Sequence, residues 1–402
     1  MLPGEIVRAR ATQKRGDGFA AEPEAILQTS AERVTPPCRH ASACGGCSLQ
    51  HWQTDAYLAW KSGLLKSALH RAGYTPTLAP IVVTAPRARR RIDLAARREG
   101  SMLRLGLHGP RSREIVDLQE CHVLHPTLAA VLPALRRTLL SLTALRRQAD
   151  ISCNLLDSGP DLLLRPDAAP TPQDRTRLAA FAAAHGIRRI MWARGDDAPE
   201  TAVLTEPPRL RFAGTDVTPP PGAFLQASAA GEQAIVAAVL AGLPERLPAR
   251  ARVADLYAGC GTLTFALAAR ARVGAYEGDP ASLAALRAAV NASGLAGRIE
   301  PMQRDLVRQP LSAKELSAFA AVVLDPPHAG AAVQIAQIAA STVARVIYVS
   351  CNPAALARDA AVLRGAGYAL VAATPIDQFL WSARLESVCV FARLTAAPRS
   401  GR

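Results

Sequence analysis

The chain has 402 residues, 50% of them hydrophobic, with a formal net charge of +14 and a pI near 10.0. Two or three domains with packed cores suit that length, and the positive balance points to a polyanionic partner such as RNA, DNA or an anionic surface. No apolar run reaches the roughly 18 residues of a membrane span, and the start MLPGEIVRAR lacks the apolar core of a signal peptide. The expectation is a cytoplasmic chain with no membrane partner and with its eight cysteines reduced.

Residues 1–37 are irregular and have room for two or three strands. Residues 38–60 are rich in cysteine, and AYLAWKSGLLKSALHRAG then reads as a helix with a glycine stop. Between 80 and 215, IVVT, RIDLAAR, LRLGLHG, ISCNLLDS, DLLLRP and RRIMWAR alternate with period two, which predicts a mostly antiparallel sheet with helices. After PPPGAF (219–224) the pattern changes. QASAAGEQAIVAAVLAGL reads as a long helix that places Gln226 at its N-terminus. RVADLYAG, VGAYEGD, AVVLDPP, RVIYVSC, YALVAATPID and SVCVFARL then alternate with helices, which predicts a doubly wound α/β sheet. The tail TAAPRSGR is expected to be disordered.

Three strand ends carry the candidate chemistry. VADLY runs into AGCGT, where Gly259 and Gly261 let the backbone approach a ligand at a strand-to-helix turn. Glu277 follows 18 residues after Gly259, placed to accept hydrogen bonds from the ribose of a nucleoside cofactor. Asp325 precedes two prolines, a stiff turn beside that pocket. Cys351 ends RVIYVSC before Asn352-Pro353, where it is either a nucleophile or a small apolar filler.

Cys38, Cys44 and Cys47 form C-x5-C-x2-C. In a reducing compartment this grouping suggests metal. The spacing leaves zinc and an iron–sulfur cluster both open, and His40, His51 and His122 keep mixed zinc ligation open as well. In RARRRIDLAARR, Arg87, Arg89 and Arg91 fall on alternate positions and could line a phosphate track.

LPGEIV, the cysteine cluster, GAFLQAS, DLYAGCGTLT, VVLDPP, YVSCNPAALARD and RLESV, in this order, resemble the RNA uracil-5-methyltransferase family, especially its iron–sulfur-containing 23S rRNA members. The resemblance implies S-adenosyl-L-methionine as cofactor and C5-methylation of a uridine in RNA, most closely rRNA. It implies Cys351 as the nucleophile at uracil C6 and Glu386 as the base that removes the C5 proton. It matches Gln226, Tyr257, Gly259, Glu277 and Asp325 to cofactor-binding positions. It also implies a [4Fe–4S] cluster on Cys38, Cys44, Cys47 and Cys121. The chain departs from the family in DPPH, in Arg384 where a histidine is usual, and in DQFLWS.

The expected architecture is a Rossmann-like methyltransferase domain at 219–402 and a mostly antiparallel α+β RNA-binding domain at 80–218. A cysteine-rich segment and helix occupy 38–79, and a truncated β-barrel remnant occupies 1–37. Because LPGE comes late in the family barrel, an upstream start is expected; the chain is expected to act as a monomer. The rival readings are a tRNA uridine methyltransferase, an amino-group methyltransferase using DPPH, and a non-catalytic RNA-binding iron–sulfur scaffold.

Overall fold

The computed structural model describes residues 1–393, and the TAAPRSGR tail lies outside them. Strands β1 (Ile6–Arg15) and β2 (Gly18–Gln28) pair antiparallel as a hairpin. Among the described residues no third strand joins it, so the expected barrel remnant is a lone two-stranded sheet. Its base is clamped by Arg33, whose Nε and Nη2 donate to the two oxygens of Glu5 at 2.5 and 2.9 Å. Helix α1 (Thr54–Arg71) buries Tyr57, Lys61, Leu65, Ala68 and Leu69, a stripe at helical spacing. Gly73 turns the chain at φ 86°.

IVVT does not join the strands that follow it. Strand β3 (Val82–Val83) runs parallel to the far edge of the C-terminal sheet, pairing with Ile376 and Asp377. The central domain holds β4 (Arg91–Glu99), β5 (Met102–His108), β6 (Ile115–Asp117), α2 (Pro126–Ser141), β7 (Gln148–Leu156), β8 (Gly159–Pro166), α3 (Pro172–Ala184), β9 (Arg189–Trp192) and β10 (Glu200–Leu204). Its sheet order is β10-β9-β8-β7-β4-β5-β6, antiparallel except for the β8–β9 pair. Leu and Ile from α2, α3 and the sheet, with Trp192, make its core. A short hairpin, β11 (Leu210–Phe212) and β12 (Thr215–Val217), leads out of it.

The C-terminal domain alternates as the sequence predicts. In order come α4 (Ala229–Gly242), β13 (Arg252–Leu256), α5 (Thr262–Ala268), β14 (Arg272–Glu277), α6 (Pro280–Ala292), β15 (Ile299–Gln303), α7 (Ala313–Leu316) and β16 (Ala321–Leu324). Then follow α8 (Ala332–Ala340), β17 (Arg345–Ser350), α9 (Pro353–Gly365), β18 (Tyr368–Asp377) and β19 (Glu386–Arg393). The sheet order is β15-β14-β13-β16-β17-β19-β18-β3. β13 to β17 are parallel, and β19 inserts antiparallel between β17 and β18. Apolar clusters cover both faces, which is why VADL, AVVL and VIYV read as continuous apolar runs. α4, α5 and α6 supply one cluster. α1 from the cysteine-rich segment joins α8 and α9 on the other.

Candidate active site

In an open α/β sheet, ligands bind beyond the carboxyl ends of the strands where the strand order reverses. Here that point lies between β13 and β16. Tyr257 follows β13 with φ 65°, a left-handed conformation uncommon for a non-glycine residue. Gly259 and Gly261 continue the turn at φ 55° and 101°. A Cβ on Gly261 would stand 2.6 Å from the Phe265 ring and 2.7 Å from Leu286. Glu277, ending β14, accepts the Gly259 N–H at 2.7 Å through Oε2 and the Asp279 N–H at 2.7 Å through Oε1. The predicted ribose-binding carboxylate thus closes the glycine loop itself. Behind the loop, Asp255 is buried and accepts the Thr264 hydroxyl proton at 2.5 Å. Burial pushes its carboxyl up to about 7, with smaller contributions from the charges of Asp325 and Glu277.

Gln226 precedes α4, whose N-cap is Ser228. It is buried, and its Nε2 donates to Asp325 Oδ2 at 3.0 Å across 99 residues of chain. Burial pushes Asp325 up to about 6, against the Gln226 hydrogen bond that lowers it. Arg90 fixes the Gln226 backbone, donating through Nε to its carbonyl at 3.1 Å and pairing with Glu232 on α4.

The ladder between β17 and β19 pairs Ser350 with Ser387. One residue further along each chain stand Cys351 and Glu386, so the antiparallel insertion of β19 brings the two to adjoining strand ends. Glu386 is 4% exposed, and burial followed by the charge of Asp325 holds its carboxyl well above the usual range. Cys351 is pushed up to about 11, first by burial and then by the charges of Glu386 and Asp325, with Arg384 opposing them. Asn352 caps α9 and donates to the His328 carbonyl at 2.8 Å, tying the Cys351 turn to the DPPH turn. Gln378 was not singled out from the sequence, yet it donates to Glu386 Oε2 at 2.9 Å and to Gln226 Oε1 at 2.8 Å. Its only sequence signal was the departure in DQFLWS.

The cysteine loop lies against the segment that carries Cys121. Gly45 N–H donates to the His108 carbonyl at 2.9 Å, Arg39 N–H to Glu120 at 2.9 Å and Gln119 N–H to His40 Nε2 at 3.1 Å. The Gly-Gly pair permits this approach, since a Cβ on Gly45 would stand 2.6 Å from the His108 carbonyl. Burial pushes Cys47 up to about 11, and the charges of Cys121, Cys44 and Cys38 add to it. Cys38 feels Cys121, and Cys44 feels both. The four thiols therefore share one neighbourhood. Among the described residues, no three His, Cys, Asp or Glu side chains are grouped as the ligands of a single ion.

The expected arginine track does not form. Arg87 sits in a turn at φ 60°, and Arg89 turns inward to donate to the Arg91 carbonyl at 2.9 Å. Arg90 is buried against Glu232. Arg91 lies 5.1 Å from the ring of Phe224, which is 70% exposed in GAFLQAS. An exposed aromatic ring beneath a guanidinium is a surface on which a base can stack. Among the described residues no helix is long and apolar enough to cross a membrane.

Residues 222–394 match the family model described as tRNA (Uracil-5-)-methyltransferase. An uncharacterized RNA methyltransferase of Caulobacter vibrioides is 41% identical, over 98% of this chain and 93% of that protein. The 23S rRNA (uracil(1939)-C(5))-methyltransferase RlmD of Nitrosospira multiformis is 34% identical, over 97% of this chain and 92% of that protein. The crystal structure of Pyrococcus abyssi tRNA (uracil-54, C5)-methyltransferase, in complex with S-adenosyl-L-homocysteine, shares the fold, with a TM-score of 0.70 at 21% identity over 97% of this chain and 93% of that one. With relatives matched along nearly its whole length, the chain belongs to the S-adenosylmethionine-dependent RNA uracil-5-methyltransferase family.

Proposed function

We propose that the protein methylates C5 of a uridine in ribosomal RNA through a covalent bond between Cys351 and uracil C6. Uracil C5 is a weak nucleophile. Cys351 loses its proton to water, and its thiolate adds to C6, leaving C5 enolate-like. C5 then attacks the sulfonium methyl group of S-adenosylmethionine, and the departing sulfur keeps the electron pair as S-adenosylhomocysteine. Glu386 takes the C5 proton, the freed pair re-forms the C5–C6 double bond, and the C6–S bond breaks to return the thiolate.

The observation that carries this reading is the register of β17 and β19, which sets the thiol and the carboxyl at adjoining strand ends. Gln226, Tyr257, Gly259, Glu277 and Asp325 surround the cofactor side of the same edge. The net charge of +14 suits an RNA substrate, and Phe224 under Arg91 suits a base turned out of its stack. Ribosomal rather than transfer RNA is favoured by the name of the Nitrosospira relative, which is similar along nearly the whole chain. Mapping 5-methyluridine by mass spectrometry in rRNA and tRNA from a deletion strain tests the assignment. Loss from one rRNA position supports it, and loss from tRNA alone overturns it.

The same reading includes a [4Fe–4S] cluster on Cys38, Cys44, Cys47 and Cys121. Four soft thiols are its usual ligand set. A single zinc ion, with Zn–S bonds of about 2.3 Å, needs its ligands drawn close together, whereas a cluster reaches across a wider gap. His40 Nε2 already accepts the Gln119 N–H, which argues against its use as a ligand. When bound, the cluster ties residues 38–47 to the strand domain. Anaerobically purified protein should contain iron and acid-labile sulfide in near-equal amounts, and stoichiometric zinc without sulfide overturns the assignment.

A further inference from the structure

Gln378 sits where three parts of the molecule meet. The residue before it, Asp377, ends β18 fully buried. Its carboxylate accepts from Tyr57 Oη at 2.6 Å and from Lys61 Nζ at 2.5 Å, both on α1. Its carbonyl accepts from the Thr84 backbone at 3.1 Å and from the Thr84 hydroxyl at 3.0 Å. Beyond Gln378, the Phe379 carbonyl accepts from Lys61 at 3.0 Å, and the Trp381 carbonyl accepts from the Ser48 and Leu49 N–H groups at 2.8 and 2.9 Å. The backbone on both sides of Gln378 is thereby held by groups from the N-terminal segment.

The side chain has a single consistent orientation. The Ala227 N–H donates to Gln378 Oε1 at 3.0 Å. A backbone amide can only donate, so this contact fixes which end of the carboxamide is oxygen. Both hydrogens on Nε2 must then donate. One goes to Gln226 Oε1 at 2.8 Å and the other to Glu386 Oε2 at 2.9 Å. With its oxygen occupied in this way, Gln226 must turn Nε2 toward Asp325, where it donates at 3.0 Å. One backbone N–H thus sets the polarity of a chain running from the segment before α4 to two buried carboxyl groups. Gly231 leaves room for it, since a Cβ there would stand 2.8 Å from Gln378 Cβ and Oε1.

Glu386 is left with two unequal oxygens. Oε2 accepts from Gln378, while among the described residues Oε1 is buried without a partner. We infer that Gln378 is a positioning residue for proton removal: it reserves Oε2 as an acceptor and so directs the unpartnered Oε1 to receive the uracil C5 proton. This rests on the reading of Glu386 as the base. In the step concerned, the C5–H bond breaks toward Glu386 Oε1, its electron pair becomes the C5–C6 double bond, and the C6–S bond breaks with its pair on Cys351.

The experiment follows single turnover of an unmodified 23S rRNA transcript by the full chain, with the covalent protein–RNA species resolved on a denaturing gel. Gln378→Met and Gln378→Leu fill the space without a donor. The expected result is a methylated adduct that decays at least tenfold more slowly than in the wild type, with the rate of adduct formation changed much less. A merely structural role would lower formation and release together. Release at the wild-type rate in either folded variant overturns the proposal, as does a uniform loss of every step. A transcript containing 5-fluorouridine separates this result from failure of the underlying reading, because the C5 fluorine cannot be removed as a proton and the adduct persists. Wild-type protein that traps no such RNA overturns the Cys351 assignment and the proposal with it. Wild-type trapping with unstalled Gln378 variants overturns the proposal alone. Gln378→Glu, nearly the same size, gives the same readout should both apolar variants fail to fold, and it too should stall release.

Discussion

Cys351 stands across from Glu386, one residue past the Ser350–Ser387 pair that ends the β17–β19 ladder. The two strand ends adjoin, and the thiol responds to that neighbour: after burial, the Glu386 charge does most to push Cys351 up to about 11. Without substrate, Cys351 is therefore a protonated thiol at neutral pH. Burial, followed by the charge of Asp325, raises the carboxyl beside it well above the usual carboxylate range, which strengthens it as a proton acceptor once ionised.

Cys351→Ala should abolish methylation while changing S-adenosylmethionine affinity by less than about tenfold, that is by less than about 1.4 kcal/mol. Calorimetry and a methyl-transfer assay check this together. Substantial turnover by the alanine variant would remove the nucleophile assignment.

Glu386→Gln should slow product release by roughly 10²–10⁴-fold, the usual contribution of a positioned general base. Adduct should build up because C5 keeps its proton after methyl transfer. The denaturing-gel band, with methyl counted by tritium, is the measurement; normal turnover would place the base elsewhere.

Much of the C-terminal domain was legible because its strands are buried on both faces and read as apolar runs between helices. The glycine loop was legible because Gly259, Gly261 and Glu277 lie within one βαβ unit. Gln378 was not, because its partners come from two distant segments, Gln226–Ala227 before α4 and Glu386 on β19, and no local pattern links them. The arginine run misled for a related reason. Alternation placed Arg87, Arg89 and Arg91 on one face, but β4 begins only at Arg91, and Glu232, 142 residues away, draws Arg90 inward. Val82–Val83 gave no sign that it pairs with Ile376–Asp377 rather than with the strands beside it in sequence.

Asp325→Asn should raise thermal stability at pH 8 and leave it nearly unchanged near pH 4. The wild-type carboxyl is raised from 3.8 to about 6 on folding, chiefly by burial. A raised carboxyl binds its proton more tightly when folded, so the folded state loses stability as pH rises from the unfolded value through about 6, and the loss is constant above that. Melting temperature across pH 4–8 reads the difference. A variant that is more stable at pH 4 but not at pH 8 contradicts the assignment.

Lys61→Met should destabilise the fold by about 3–5 kcal/mol, the usual cost of leaving one partner of a buried ion pair alone. Lys61 and Asp377 are both fully buried, and the same carboxylate also holds Tyr57. The loss should appear in urea unfolding and should be accompanied by slower adduct release, because Lys61 also holds the Phe379 carbonyl next to Gln378.

The most direct test of the covalent account is to incubate the wild-type protein with S-adenosylmethionine and a 5-fluorouridine-containing 23S rRNA transcript, digest both, and sequence the cross-linked peptide by mass spectrometry. The account predicts a single nucleotide, methylated at C5, attached to the peptide YVSCNPAAL through Cys351. Absence of an adduct, or attachment to any other of the eight cysteines, would contradict it.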